Sequence, residues 1–354
     1  GPKKTAANAR PPGARPRQRE RKRRGQGDDF EPEITEDDVL LPIAGILDVL
    51  DNYAFVRTSG YLPGTNDVYV SLGQVKKYGL RKGDAIVGAI RQPREGEGSG
   101  RQKYNAIVRV DTVNSRQVDE NETRPEFSAF TPVHPNERVR LETEGGDLTQ
   151  RVVDLFAPLG KGQRGLIIGP HESGKSTTLR RIAAAVAANQ PDAHLMLVLI
   201  DERPEEVTEL QRTVNGEVIA STFDRSAEDH VTIAELAVER AKRLVELGHD
   251  VVLLLDSLTG LARAYNVLAP TGSRVPAGSL DAASLQPVKK LLGAARNVEN
   301  GGSLTIVATA SAQPGSRVDE ALLGELEATA NMRLRLSGEA ADRRVFPAVD
   351  LRAS

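Results

Sequence analysis

Nine consecutive residues carry the clearest chemistry. Gly169-Pro170-His171-Glu172-Ser173-Gly174-Lys175-Ser176-Thr177 fits G-x-x-x-x-G-K-[ST] at every fixed position. Glycines let a backbone wrap closely round phosphates, and loop N–H groups with a helix N-terminus favour an anion. Glu172, Ser173, Gly174, Lys175, Ser176 and Thr177 are therefore expected to touch a nucleotide. Lys175 would reach the β- and γ-phosphates, and the Ser176 hydroxyl would hold Mg²⁺. Two carboxylates complete the set. Asp256 ends the apolar run Val251-Val252-Leu253-Leu254-Leu255, where a carboxylate orients Mg²⁺ and its water. Glu202 follows the run His194-Leu195-Met196-Leu197-Val198-Leu199-Ile200 and is placed to orient or deprotonate the attacking water. One carboxylate at a strand end is commonly a helix cap or a loop charge. Two of them beside a phosphate loop point to ATP hydrolysis, with Lys175, Glu202 and Asp256 catalytic and Ser176 and Asp256 on the metal.

These residues need a scaffold. Gly165-Leu166-Ile167-Ile168 reads as a buried strand before the loop, and Thr178 to Val186 as the helix after it. Together they make a strand–loop–helix phosphate unit. The runs at 194–200, 251–255 and 303–309 read as further buried strands, with helical patterns at 233–247 and 285–298. Buried runs alternating with helices imply a parallel sheet covered on both faces. Ligands then sit beyond the carboxyl ends of its strands. This α/β domain is expected over 151–354, after a connector at 126–150 that contains Pro132, Pro135 and Gly145-Gly146.

Residues 39–125 read differently. Short strand patterns near 44–50, 52–57, 67–70, 84–90 and 104–110 are separated by glycine, proline and aspartate turns. That spacing suggests a small β-barrel of the OB or cold-shock type. Aromatic residues are only 4% of the chain, so the cluster of Tyr53, Phe55, Tyr69 and Tyr104 carries information. Residues two apart share a sheet face, which would set Tyr53, Phe55 and Arg57 in one exposed row. Bases stack on such rows. Asp67 could accept a hydrogen bond from a base amine and favour cytosine over uracil. The single-strand contact is expected over Asn52, Tyr53, Ala54, Phe55, Val56 and Arg57, then Asp67, Val68 and Tyr69, and Gln102, Lys103 and Tyr104. The alternative is that these rings fill the barrel.

Residues 1–38 have a basic stretch, Lys3 to Arg24, followed by an acidic one. The basic stretch has almost no large apolar residue, cannot bury a core and is expected to be a disordered nucleic-acid arm. The net charge of −2 hides this asymmetry. The chain has no cysteine, which excludes disulfides and thiolate metal sites. No apolar run approaches the roughly 20 residues of a membrane helix, so a cytoplasmic protein is expected, with no membrane partner.

Longer motifs add a resemblance. Asp201-Glu202-Arg203-Pro204-Glu205-Glu206-Val207-Thr208, the run 216–224, Asp256-Ser257-Leu258-Thr259, Arg263-Ala264-Tyr265-Asn266 and Arg344-Val345-Phe346-Pro347-Ala348 resemble the family of the bacterial transcription termination factor Rho. The resemblance runs from about residue 40 to the end. It implies an OB-like RNA-binding barrel followed by a RecA-like ATPase domain, working as a homohexameric ring. Such a ring takes up cytosine-rich single-stranded RNA, uses ATP and Mg²⁺, and acts with RNA polymerase and its elongation factors. The family also implies nucleotide contacts from Gly160, Lys161, Gly162, Gln163, Arg164 and Gly165, from Arg203, and from Phe346 against adenine. It implies two RNA-touching pore loops, at Arg274-Val275-Pro276-Ala277-Gly278-Ser279 and at Gly315-Ser316-Arg317.

The chain departs from the family pattern at the motor. His171 and Glu172 stand where the family has proline and lysine. Gly260 stands for an arginine, Leu326-Glu327-Ala328-Thr329-Ala330-Asn331 for Phe-Lys-Gly-Thr-Gly-Asn, and Gly338-Glu339 for Arg-Lys. The sequence stops at Ser354, before the segment that carries the family's arginine finger. Two alternatives follow. One is a Rho-like paralogue that binds RNA and nucleotide without translocating and tunes true Rho subunits. The other is a different RecA-like ATPase, such as a recombinase or a rotary ATPase subunit.

Overall fold

The computed structural model describes residues 38–92, 104–121, 124–270 and 280–354. The arm at 1–37, Gln102, Lys103 and the pore-loop segment 274–279 lie outside the described residues.

Alternating apolar residues build the first unit. Its strands are β1 (Leu40–Val49), β2 (Ala54–Arg57), β3 (Val68–Val70), β4 (Ala85–Arg91), β5 (Ile107–Val113) and β6 (Arg116–Gln117), with helix α1 (Leu72–Lys77) between β3 and β4. The antiparallel order is β3-β2-β1-β4-β5-β6. A Tyr69–Ala106 bridge joins β3 to β5, and the Tyr69 N–H donates to the Asn105 carbonyl at 2.8 Å. The sheet therefore curls into the OB-like barrel. Leu47, Ala54, Val56, Val68, Val70, Ile86 and Ile107 fill it. Ser71 and Gln74 cap α1 reciprocally, and the Gln74 amide donates to the Ile107 carbonyl at 3.0 Å, tying the helix to β5.

The second unit follows through β7 (Pro132–Val133), β8 (Arg138–Val139), α2 (Leu148–Phe156), β9 (Leu159–Gly160), β10 (Arg164–Gly169), α3 (Lys175–Asn189), β11 (His194–Glu202), α4 (Pro204–Thr213), β12 (Glu217–Thr222), α5 (Ala227–Glu246), β13 (Asp250–Asp256), α6 (Leu258–Leu268), α7 (Ala282–Leu292), β14 (Arg296–Val298), β15 (Ser303–Ser311), α8 (Arg317–Thr329), β16 (Met332–Arg335) and α9 (Gly338–Asp342). The parallel order is β12-β11-β13-β15-β10-β16, with β14 against β15 and β7 against β14. Strand alternation divides the core. Leu166, Ile168, Ile200, Leu255 and Ala308 face helices α5 to α8. Ile167, Leu199, Leu254 and Val307 face α3 and α4. The stretch 126–150 is more than a connector, because β7 reaches the sheet through β14 and α2 begins at Leu148.

Polar contacts hold the two units together. Glu246 at the end of α5 accepts the Phe127 N–H at 2.8 Å and pairs with Arg243 at 3.0 Å and Arg81 at 3.1 Å. Arg124 lies 3.6 Å from Glu246 and grips Asp84 of the barrel at 2.6 Å. The Tyr61 hydroxyl donates to Glu217 at 2.7 Å. Gly83 has φ +88°, and a Cβ there would stand 2.5 Å from the Arg240 nitrogen, so only glycine lets the barrel rest on α5 this closely. No helix among the described residues is long and apolar enough to cross a membrane.

Candidate functional site

The carboxyl ends of β10, β11, β13 and β15 open into a cleft of about 520 Å³. Glu172, Gly174, Lys175, Ser176, Thr177, Glu202, Arg203 and Asp256 all line it. The strand-end rule and the phosphate-loop motif thus meet in one place. Gly174 takes φ +91° to start α3, a conformation that favours glycine. Ser173 is buried, its hydroxyl donating to the Pro170 carbonyl at 2.9 Å. Lys175 donates its ammonium to the carbonyls of Gly169 at 2.9 Å and Pro170 at 2.6 Å. Burial lowers its pKa, against the pull of Asp256 and Asp319. Asp256 is buried and accepts the Thr309 hydroxyl at 2.5 Å. Burial raises the Glu202 pKa, and the neighbouring Asp256 raises it further. Phe346 is half exposed, and its ring lies 3.8 Å from where a Cβ on Gly174 would stand. It therefore flanks the phosphate loop.

The donors suit a hard cation. Ser176 and Asp256 offer oxygen only, and no group of three or more His, Cys, Asp or Glu residues that could hold a metal occurs among the described residues. Mg²⁺ is usually bound this way, through one or two carboxylates with water and substrate phosphates rather than an all-protein cage.

The segment Gly160 to Gly165, expected at the nucleotide, is placed elsewhere. It enters the amino end of β10, while the phosphate loop leaves the carboxyl end. The strand from Arg164 to Gly169 separates the two by about 17 Å, at roughly 3.3 Å per residue. Its groups are engaged where they stand. Lys161 pairs with Glu137 at 2.7 Å and Asp250 at 2.9 Å. The Gly162 N–H donates to the Thr305 hydroxyl at 2.8 Å, Gln163 accepts the Gly160 N–H at 2.5 Å, and Arg164 donates to the Thr329 carbonyl at 2.7 Å. Within the chain these six residues do not line the cleft. Arg317 is the exposed first residue of α8.

Several departures acquire local explanations. Glu327 pairs with Arg335, so the reversed charge has its own counter-ion. Gly338 packs beside the phosphate loop, where a Cβ would lie 3.1 Å from Pro170; a bulky residue would press on that proline. Gly260 sits on the cleft wall with its N–H donated to the Ser257 hydroxyl at 3.0 Å. Glu172 is exposed on the cleft rim at φ +60°, and nothing in the structure explains a carboxylate there. Sequence reasoning missed Thr259, Thr309 and Ser311. The visible signal was polar residues two apart at the end of an apolar run, Thr309 and Ser311.

On the barrel, Phe55 is the hub of an aromatic cluster. Its ring meets Tyr104 at 4.8 Å, Tyr53 at 5.6 Å and Tyr69 at 5.9 Å, all edge-on. Register explains this, since Phe55 is paired directly with Tyr69 across β2 and β3. Tyr53 is 44% exposed, and Asn52 is exposed beside it. A cleft of about 430 Å³ adjoins, lined by Thr58, Thr65, Asn66, Tyr104 and Asn105 among others. Other expected contact residues lie deeper than an exposed row would place them. Arg57 is 5% and Asp67 2% exposed. Arg57 donates to Asp67 at 2.7 Å and to Asp48 at 2.5 Å. Burial opposes its charge, but these two carboxylates more than restore it. Asp67 also accepts the Gly64 N–H at 2.9 Å and the Thr58 N–H at 3.4 Å, and it lines that cleft together with Tyr104. Ala54, Val56 and Val68 point into the barrel core, as strand alternation requires.

Comparison with known proteins agrees with this division. A family model described as Rho termination factor, RNA-binding domain, matches residues 43–119. One described as ATP synthase alpha/beta family, nucleotide-binding domain, matches residues 149–354. Transcription termination factor Rho of Streptomyces lividans is 61% identical over 92% of this chain. The chain spans about half the length of that relative, 46%. The Rho protein of Streptosporangium roseum is 55% identical over 91% of this chain and 81% of its own length. Among solved structures, an ATPase from the type III secretion system of pathogenic bacteria superposes with a TM-score of 0.51 at 27% identity, covering 57% of this chain and 59% of that one. The chain belongs to the transcription termination factor Rho family.

Proposed function

We propose that this chain is the RNA-capturing and ATP-hydrolysing part of a hexameric RNA translocase that ends transcription in the cytoplasm. The observation that carries the reading is the meeting of Lys175, Glu202 and Asp256 in one cleft of a chain whose barrel presents the Phe55 aromatic cluster. Lys175 is freed from the Gly169 and Pro170 carbonyls by phosphate oxygens that replace them. Glu202, its proton affinity raised by burial, takes the proton of the attacking water. Asp256 is steadied by the Thr309 hydroxyl. Ser176 and Asp256 would hold Mg²⁺, which would offset the charge of the phosphates. Phe346 packs on the adenine, and Arg203 approaches the phosphates. Tyr53, Phe55, Tyr69 and Tyr104 stack bases of cytosine-rich RNA, and the adjoining cleft, with Asp67 in its wall, makes the choice of base. Arg317 tracks the strand inside the ring, and RNA polymerase with its elongation factors supplies the nascent transcript. The test is ATP-driven release of a DNA oligomer annealed beyond a cytosine-rich RNA tail. The reading expects release that needs ATP and the tail, and absence of release with both present contradicts it.

One observation favours a second reading, binding of RNA and nucleotide without translocation. The Glu172 carboxylate lies on the rim where phosphates would enter. Glu172→Lys then converts a silent protein into one that turns over ATP. In the motor reading the same substitution only tightens nucleotide binding, by about tenfold or less for one nearby charge.

A further inference from the structure

We propose that Ser311 is a substrate-contacting residue whose hydroxyl donates to the terminal phosphoryl group of the bound nucleoside triphosphate, so that the cleft distinguishes triphosphate from diphosphate. This rests on the nucleotide-hydrolysing reading above and adds a residue to it.

Three observations place Ser311. It ends β15, the strand between β13, which ends in Asp256, and β10, which ends in the phosphate loop. Register pairs it with Gly169, the first residue of that loop. Residues two apart share a strand face, so Ser311 follows Thr309, which donates to Asp256. The same face carries Val307 toward α3, the helix that Lys175 begins. The backbone is pinned on both sides. The Ser311 N–H donates to the Thr259 hydroxyl at 2.9 Å, and the Ala312 N–H to the Gly169 carbonyl at 3.0 Å.

The third observation is the hydroxyl itself. Ser311 is 6% exposed and lines the cleft with Lys175 and Asp256. Its Oγ is buried and has no hydrogen-bond partner, alone among the cleft-lining side chains of the described residues. A buried hydroxyl without a partner is unusual in a native protein, and a ligand contact is one of its few explanations. Asp256 and Glu202 mark the end of the cleft where water attacks, and Ser311 stands on the Asp256 side of it. A hydroxyl there donates to an anion, adds no charge, and meets only the last phosphate.

The experiment measures Mg²⁺-dependent binding of AMP-PNP and of ADP to the intact protein, as wild type and as Ser311→Ala, Ser311→Thr and Lys175→Ala. Losing one hydrogen bond to a charged oxygen should weaken AMP-PNP binding by about tenfold in Ser311→Ala. ADP affinity should stay at wild type, and Ser311→Thr should restore AMP-PNP binding. Equal loss of both nucleotides would make Ser311 merely structural, and loss of neither would leave it outside the site; either overturns the proposal. If wild type binds AMP-PNP in a Lys175-dependent way while Ser311→Ala matches it, this inference alone fails. If wild type binds no AMP-PNP, the nucleotide reading fails and takes the inference with it.

Discussion

Glu202 and Asp256 share a cleft but are engaged differently. Asp256 is committed to the Thr309 hydroxyl, while burial and then the Asp256 charge raise the proton affinity of Glu202. A base must be ionised to work, so turnover should fall as pH drops through a value above the ordinary glutamate pKa of about 4.3. Glu202→Gln should remove that acid limb and lower kcat by about 10²–10⁴-fold, leaving ATP affinity nearly unchanged; a steady-state pH profile of both proteins checks it. On the barrel, Tyr53→Ala or Phe55→Ala should weaken single-stranded RNA binding by about 1–3 kcal/mol each, measured by fluorescence titration. Arg57→Ala should behave differently, because it strips Asp48 and Asp67 of a buried cation. Its expected signature is a loss of about 3–5 kcal/mol of stability in urea unfolding. The phosphate loop was legible in the sequence because its glycines and lysine have few other uses at that spacing. The role of Arg57 was not, because the two-residue period tells which face a side chain takes but not what covers it. Asp48 and Asp67 arrive from other parts of the barrel.

The elements themselves were readable where an apolar run was long. β11, β13 and β15 follow the runs at 194–200, 251–255 and 303–309 closely. β7 and β8 are two residues each, too short for any period to show, which is why 126–150 read as a connector. The strand-end rule also separates Gly160 to Gly165 from this chain's own cleft once β10 is drawn. One element-level contact can be tested directly. At Gly83, positive φ and the Arg240 backbone both exclude a side chain. Gly83→Ala should cost about 1–3 kcal/mol and open the junction of barrel and α5 to protease. Unchanged stability and cleavage would mean the two units are not seated on each other there.

Across the whole molecule, the aromatic barrel and the phosphate-loop cleft sit on separate units joined by a buried polar junction. Glu246, Arg124, Asp84 and Arg81 link α5 to the barrel, and no sequence period announces such a cluster, since its members are up to 165 residues apart. The most direct measurement is ATP turnover by the intact protein, with and without poly-cytidine RNA, for wild type, Lys175→Ala and Phe55→Ala. The account predicts turnover that requires both RNA and Lys175, and a higher RNA concentration for half-stimulation in Phe55→Ala with the same maximal rate. Tight RNA binding with no turnover, or turnover indifferent to RNA, would contradict it.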